Sequence, residues 1–273
     1  MDLERDYSPS SRAGGSAEPW IAGWERRSRR AAVELDGRVR RLADGSLVVD
    51  GGADPVGSGG SVDPLLVFVH GGYWQALSAA GSLFLATRAT AEGWAFASLE
   101  YPLAPDAPIG TMVEAVRAGL TAVVDVARPG RVVLVGHSAG AHLAAMAALV
   151  EEPPVPVHRL VLLSGVYDLR PLVHTSVNEP LGLDDGQAAS SSPMLLPVTV
   201  PSGMEVVVAW ADHDTEAFID QSRSFAARLG TQGLECVGRH HFDVVDDIVD
   251  PSTPLGRFTL GGGTTAPSAV APG

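Results

Sequence analysis

The segment Gly136-His137-Ser138-Ala139-Gly140 sets a serine between two glycines, directly after the apolar run RVVLV (131–135) and directly before the helix-like AHLAAMAALV. A G-x-S-x-G sequence placed between strand and helix makes a sharp turn that presents the serine hydroxyl at the carboxyl edge of a sheet. The pentapeptide alone could be a small-residue turn that happens to contain serine; strand before and helix after point to Ser138 as a nucleophile. Upstream, LLVFV (65–69) runs into His70-Gly71-Gly72-Tyr73-Trp74. A glycine loop in that place can aim backbone N–H groups at the oxygen of a tetrahedral intermediate, here from Gly71 or Gly72 together with Ala139. The chemistry in prospect is acyl transfer through a serine.

A serine nucleophile needs a base to take its proton and an acid to hold that base in one tautomer, in the chain order Ser, Asp or Glu, His. The run MEVVVAW (204–210) is followed by Asp212 and Asp214, and LECVG (234–238) by His240 and His241. Spacing does not choose within either pair, and both carboxylates could equally be solvated loop residues or caps for the helix at Glu216. Other candidates read more plainly: His142 as a satisfied core polar group, His70 as a brace for the glycine loop, His158 and His174 as surface residues, Cys236 as an inert core thiol.

Elements of a particular kind must position these residues. Residues 65–69, 94–100, 131–135, 159–164 and 204–210 are near-continuous apolar runs, the pattern of strands buried on both faces. Between them lie helical patterns over 112–127, 139–150 and 216–229, so the chain reads as an α/β domain with a mostly parallel central sheet flanked by helices. Trp20–Val33 has the spacing of a short amphipathic helix with Trp20 and Trp24 on one face. Residues 36–50 read as two short strands turned at Asp44-Gly45, and the Gly-rich stretch 51–64 as a flexible connection. The proline-rich interval 165–203 breaks the rhythm and reads as a small cap insertion that selects substrate. The domain organisation expected is a loose N-terminal arm (1–20), one domain (21–260), and a disordered tail (261–273) preceded by at most one short turn of helix.

Composition narrows the function classes. The 273 residues are 45% hydrophobic and 19% charged, which suits a globular chain. Nineteen basic residues, all Arg, against 32 acidic ones give a net charge of −13, so a nucleic-acid partner is not expected. A lone cysteine allows no intrachain disulfide, no Cys/His cluster has zinc-site spacing, and the first 20 residues lack the apolar core of a secretory signal; a cytoplasmic location is expected. Val132–Val150 is long enough to cross a bilayer, but Gly136, His137, Ser138, Gly140 and His142 interrupt it, so no membrane association is expected.

Taken together, the motifs resemble the arylformamidases (kynurenine formamidases) of the α/β-hydrolase fold. The resemblance is carried by YSPSSR (7–12), HGGYW (70–74), GHSAGAHLAA (136–145), LSGVYDLRPL (163–172), HDTEAFIDQS (213–222) and HHFDVVDDI (240–248). Carried over position by position, it implies Ser138 as nucleophile, Asp214 as acid and His241 as base. It departs from the family in the long connection at 51–64, in ELDGRVRRLADG (34–45), which lacks an evident counterpart of the usual early hairpin, and in the tail after 260. The implied reaction is hydrolysis of an aryl formamide, N-formyl-L-kynurenine above all, to an aryl amine and formate, with no metal or cofactor. Tyr73, with Trp74, would narrow the acyl side until little more than formyl fits, and the aryl part would lie under the cap near Tyr167, Leu172 and residues 190–193. The expected partner is therefore a small aryl formamide, with a homodimer allowed. Alternatives are a general carboxylesterase with the same triad and a non-catalytic binding protein of the same fold.

Overall fold

The structure is a computed structural model that describes residues 2–52, 63–231 and 233–261. Most of the connection read at 51–64 and of the tail read at 261–273 lies outside the described residues. Eight strands, β1 (Val39–Arg41), β2 (Leu47–Val49), β3 (Leu65–Val69), β4 (Ala95–Leu99), β5 (Val132–His137), β6 (Arg159–Leu163), β7 (Glu205–Ala211) and β8 (Gly233–Cys236), form one sheet in the order β1-β2-β4-β3-β5-β6-β7-β8. The first two pairings, β1 with β2 and β2 with β4, are antiparallel, and the rest are parallel. The early hairpin is thus present, with Arg41 opposite Leu47 around the Asp44-Gly45 turn. It is hard to read because β1 is mostly exposed and written Val-Arg-Arg.

The helices are α1 (Leu3–Asp6), α2 (Glu18–Glu34), α3 (Phe84–Ala91), α4 (Ile109–Ala127), α5 (Ala139–Ala145), α6 (Asn178–Leu181), α7 (Asp185–Ser190), α8 (Glu216–Leu229) and α9 (Pro254–Leu260). Every residue of β3, β4, β5 and β6 is buried, because the sheet is covered on both faces. One face packs against α4, α5 and α8 through Met112, Val116, Leu120, Leu143, Phe218 and Phe225. The other packs against α2, α3 and α9 through Trp24, Leu85, Ala89 and Phe258. The apolar run at 132–150 divides into β5, α5 and a wider helical turn at Met146–Val150, and among the described residues no helix is long and apolar enough to cross a membrane.

Two expectations are corrected. The C-terminal segment forms nearly two turns of helix rather than one, capped by Thr253, whose Oγ1 accepts the Gly256 N–H at 3.0 Å, and anchored by buried Leu255 and Phe258. The arm expected to be loose is docked: Tyr7 and Pro9 are buried, and Thr215 Oγ1–H donates to the Asp6 carbonyl at 2.6 Å. Hydrogen bonds that link Glu4, Asp6 and Tyr7 to distant segments hold it in place. The cap interval carries the 3₁₀ turn Arg170–His174 together with α6 and α7.

Candidate active site

Ser138 lies between the last residue of β5 and the first of α5, at φ 56° and ψ −122°, a conformation that L residues rarely adopt. The surrounding backbone imposes it. Ser138 N–H donates to the Leu163 carbonyl of β6 at 2.9 Å, while the Ser138 carbonyl already accepts the Ala141 N–H at 2.9 Å. The turn is compressed against the neighbouring strand: a Cβ on Gly140 would come within 2.1 Å of the Val69 carbonyl oxygen, so only glycine fits there.

The hydroxyl of Ser138 is 3.0 Å from His241 Nε2, and His241 Nδ1 is 2.7 Å from Asp214 Oδ2. Asp214 follows β7, and its other oxygen accepts the Thr215 N–H at 2.9 Å. All three residues are buried. A carboxylate can only accept, so Nδ1 of His241 carries the proton and Nε2 is free to accept one from Ser138. His137 steadies this imidazole from behind. Its Nε2–H donates to the His241 carbonyl at 2.9 Å, and burial, followed by the nearness of His241, holds its pKa well below the usual histidine value, so it stays neutral. Phe218 and Phe242 pack edge-on against the His241 ring.

The two residues that spacing could not separate from these have other work. Asp212 Oδ1 accepts the Arg239 N–H at 3.1 Å, tying the β7 turn to the β8 turn. His240 Nδ1 accepts the Phe242 N–H, and its ring packs against Trp20 at 4.3 Å.

Gly71 passes so close to Ser138 that a Cβ there would lie 2.9 Å from Ser138 Cβ. Among the described residues no acceptor is bonded to the N–H of Gly71 or Gly72. Ala139, as the first residue of α5, has no intrahelical acceptor for its own N–H. The loop is braced from below by His70, whose Nδ1–H donates to the Gly71 carbonyl at 2.9 Å and whose ring stacks on Tyr101 at 4.3 Å.

A cavity of about 370 Å³ opens over Ser138 and His241, and Gly72 and Tyr73 line it. Tyr73 OH donates to the Tyr7 carbonyl; burial, then the Asp214 charge, raises the phenol pKa well above normal, so it remains a donor. Trp74 and Tyr167, expected at the substrate, do not line this cavity. Both are fully buried, Trp74 edge-on against His142 at 5.1 Å and Tyr167 stacked on Phe225 of α8 at 4.2 Å, where large rings fill the layer under the sheet. Leu172 is likewise core, and Ser192 is buried with its hydroxyl bonded to the Leu169 N–H.

The wall that sequence reasoning missed comes from the docked N-terminal segment (Glu4, Tyr7, Ser8, Ser10), together with Ser176 and Val177 of the cap. No periodicity marks these residues. The motif YSPSSR (7–12) is the one local signal that this segment could have carried.

His142 is fully buried with Nε2–H donating to the Ser191 carbonyl at 2.6 Å, while Nδ1 has no partner among the described residues. Burial pushes the Cys236 thiol up to about 12, so it is not a thiolate near neutral pH. Among the described residues no group of three or more His, Cys, Asp or Glu could hold a metal ion.

Comparison with known proteins places this geometry in context. The family described as alpha/beta hydrolase fold matches residues 66–244. The chain is 32% identical to the kynurenine formamidase of Salmo salar over 95% of each chain, and 34% identical to that of Danio rerio over 72% of each. A crystal structure described as a putative thioesterase from Silicibacter sp. superposes with a TM-score of 0.80 at 28% identity, covering 93% of this chain and 97% of that one.

Proposed function

Because the chain belongs to the kynurenine formamidase family of the α/β-hydrolase fold and is a hydrolase, we propose that it cleaves aryl formamides, with N-formyl-L-kynurenine as the substrate, through Ser138, His241 and Asp214. The observation that carries this reading is the unbroken hydrogen-bonded path from Ser138 Oγ through His241 to Asp214 at the floor of one cavity.

In this mechanism Ser138 Oγ attacks the formyl carbon as its proton passes to His241 Nε2, and Asp214 stabilises the resulting imidazolium. The negative charge that develops on the formyl oxygen is met by the N–H groups of Ala139 and of Gly71 or Gly72, donors held in place before the reaction begins. Collapse breaks the C–N bond, and His241 returns its proton to the departing aniline nitrogen, leaving a formyl ester on Ser138. Water then attacks that ester, giving its proton to His241, and Ser138 leaves with that proton as formate is released. An aniline departs far more readily than an alkyl amine, so an ester-cleaving machinery suffices.

The test is release of kynurenine from N-formyl-L-kynurenine, run beside Ser138→Ala and a short-chain nitrophenyl ester. The expected result is release that exceeds ester turnover and falls by about 10⁴-fold or more in Ser138→Ala. Ester turnover without kynurenine release would assign the protein to the carboxylesterases instead.

A further inference from the structure

We infer that Glu4 is a specificity-determining residue, and that the site selects aryl formamides whose far end carries an ammonium group rather than an unbalanced carboxylate. This deepens the formamidase reading and rests on it.

The cavity over Ser138 extends outward to Glu4 and Ser176. Glu4 is the one acidic side chain in its wall among the described residues, and no arginine is there. The chain contains no lysine anywhere, and the segments outside the described residues contain neither arginine nor lysine. A carboxylate entering this cavity therefore meets no arginine or lysine, and the cavity's two histidines, His137 and His241, lie at the floor beside Ser138. Hydroxyl groups such as those of Ser8 and Ser10 are the donors it could find.

Glu4 is also fixed in position. Ser176 N–H donates to Glu4 Oε2 at 2.9 Å and the Ser176 hydroxyl donates to Oε1, which ties α1 to the cap and holds the carboxylate in its charged form. Each oxygen of a carboxylate can accept more than one hydrogen bond, so a three-donor ammonium group can still bind.

The surroundings reinforce the sign. Tyr7 also lines a second cavity, of about 550 Å³, whose wall includes Asp6, Glu216 and Asp220. None of these three carboxylates has an ion-pair partner among the described residues. Tyr7 borders both cavities, so their field reaches the mouth of the Ser138 cavity. In a zwitterionic amino-acid substrate the ammonium group pairs with Glu4, and the carboxylate stays toward solvent.

The experiment compares kcat/KM for four 2-formamidophenyl ketones: one with an uncharged side chain, one ending in an amine, one in an amino acid, and one in a carboxylic acid. The amine is expected to exceed the acid by about tenfold and the uncharged ketone by about fivefold, mainly through KM, with the amino acid between amine and acid. The amine's advantage should shrink as salt is added, because Glu4 is solvent-exposed. It should also collapse in Glu4→Gln. An acid that matches or exceeds the amine, or an advantage that survives both salt and Glu4→Gln, would overturn the inference while leaving formamide hydrolysis intact. If even the uncharged ketone is not hydrolysed, the formamidase reading falls and this inference with it.

Discussion

Tyr73 stands at φ 52° with its ring against Phe218 and its hydroxyl on the Tyr7 carbonyl, in the loop that passes Ser138. Such a conformation is strained for a tyrosine and is natural for glycine, so Tyr73→Gly removes bulk without opposing the backbone. If this ring limits the acyl group, the variant should raise kcat/KM on butyryl relative to acetyl nitrophenyl esters by about tenfold; an unchanged ratio would show that the limit lies elsewhere. A different side chain governs acid stability. Burial lowers the pKa of His142 to about 4, against about 6.5 in an unfolded chain. Between those values the unfolded state binds the extra proton, so the His142 contribution to stability is complete above pH 6.5 and falls by about 1.4 kcal/mol for each unit of acidification down to about pH 4. His142→Gln keeps a donor for the Ser191 carbonyl and should flatten that slope, read as the difference in urea midpoint between pH 7.5 and pH 5; His137, shifted in the same direction, sustains the remaining slope. Residues differ in how far their roles could be read in advance. Ser138 is legible because strand, turn and helix are all local to it. Asp214 and His241 are separated from Asp212 and His240 only by which way a loop backbone turns, a matter of tertiary contacts such as Asp212 with Arg239. Trp74 and Tyr167 were misplaced because a large ring next to a reactive loop is chemically suited both to a pocket and to a core.

At the scale of elements, the parallel strands and the helices between them were legible because two-sided burial imposes continuous apolar runs and one-sided burial imposes a helical period. The N-terminal segment was not, since its partners lie far away in the chain. Thr215 holds the Asp6 carbonyl, Tyr73 the Tyr7 carbonyl, Ser176 the Glu4 carboxylate, and Gln221 Nε2–H donates to the Tyr7 hydroxyl at 3.0 Å. Thr215 adjoins Asp214 and Tyr73 adjoins Gly72, so the segment braces the loops on both sides of the Ser138 cavity. Deleting residues 2–9 removes one wall of that cavity and leaves the sheet and both helical layers complete. The expected outcome is a folded protein whose kcat/KM on N-formyl-L-kynurenine drops by about 10²-fold, chiefly through KM. Unimpaired kinetics in a variant with native circular dichroism would show that the segment is only a covering.

For the molecule as a whole, the edge of the sheet opposite the site is closed by one arginine. Arg159, the first residue of β6, is 2% exposed, pairs with Glu205 at the start of β7, and donates to the carbonyls of Phe258 and Gly261, both at 2.6 Å. Its guanidinium also lies over the Phe258 ring, 5.1 Å from its centroid. Arg131 donates to the same Gly261 carbonyl at 2.9 Å, so α9 is fastened to the amino ends of β5, β6 and β7. Arg159→Met should lower the stability to urea by about 3 kcal/mol, because it strands Glu205 and the Phe258 carbonyl, while kcat of the folded fraction is unchanged. A loss well below 1 kcal/mol would show that apolar packing alone docks the helix.

The docked N-terminal segment sets an order of events during synthesis. Residues 3–10 are made before the rest of the domain, yet the groups that bind them belong to residues 73, 176, 215 and 221, the last of which is made some two hundred residues later. A growing chain can pair its strands one after another as they emerge, but this segment has its full set of partners only once α8 exists. The cavity over Ser138 is therefore completed late, and an incomplete chain released early carries the serine without its enclosure.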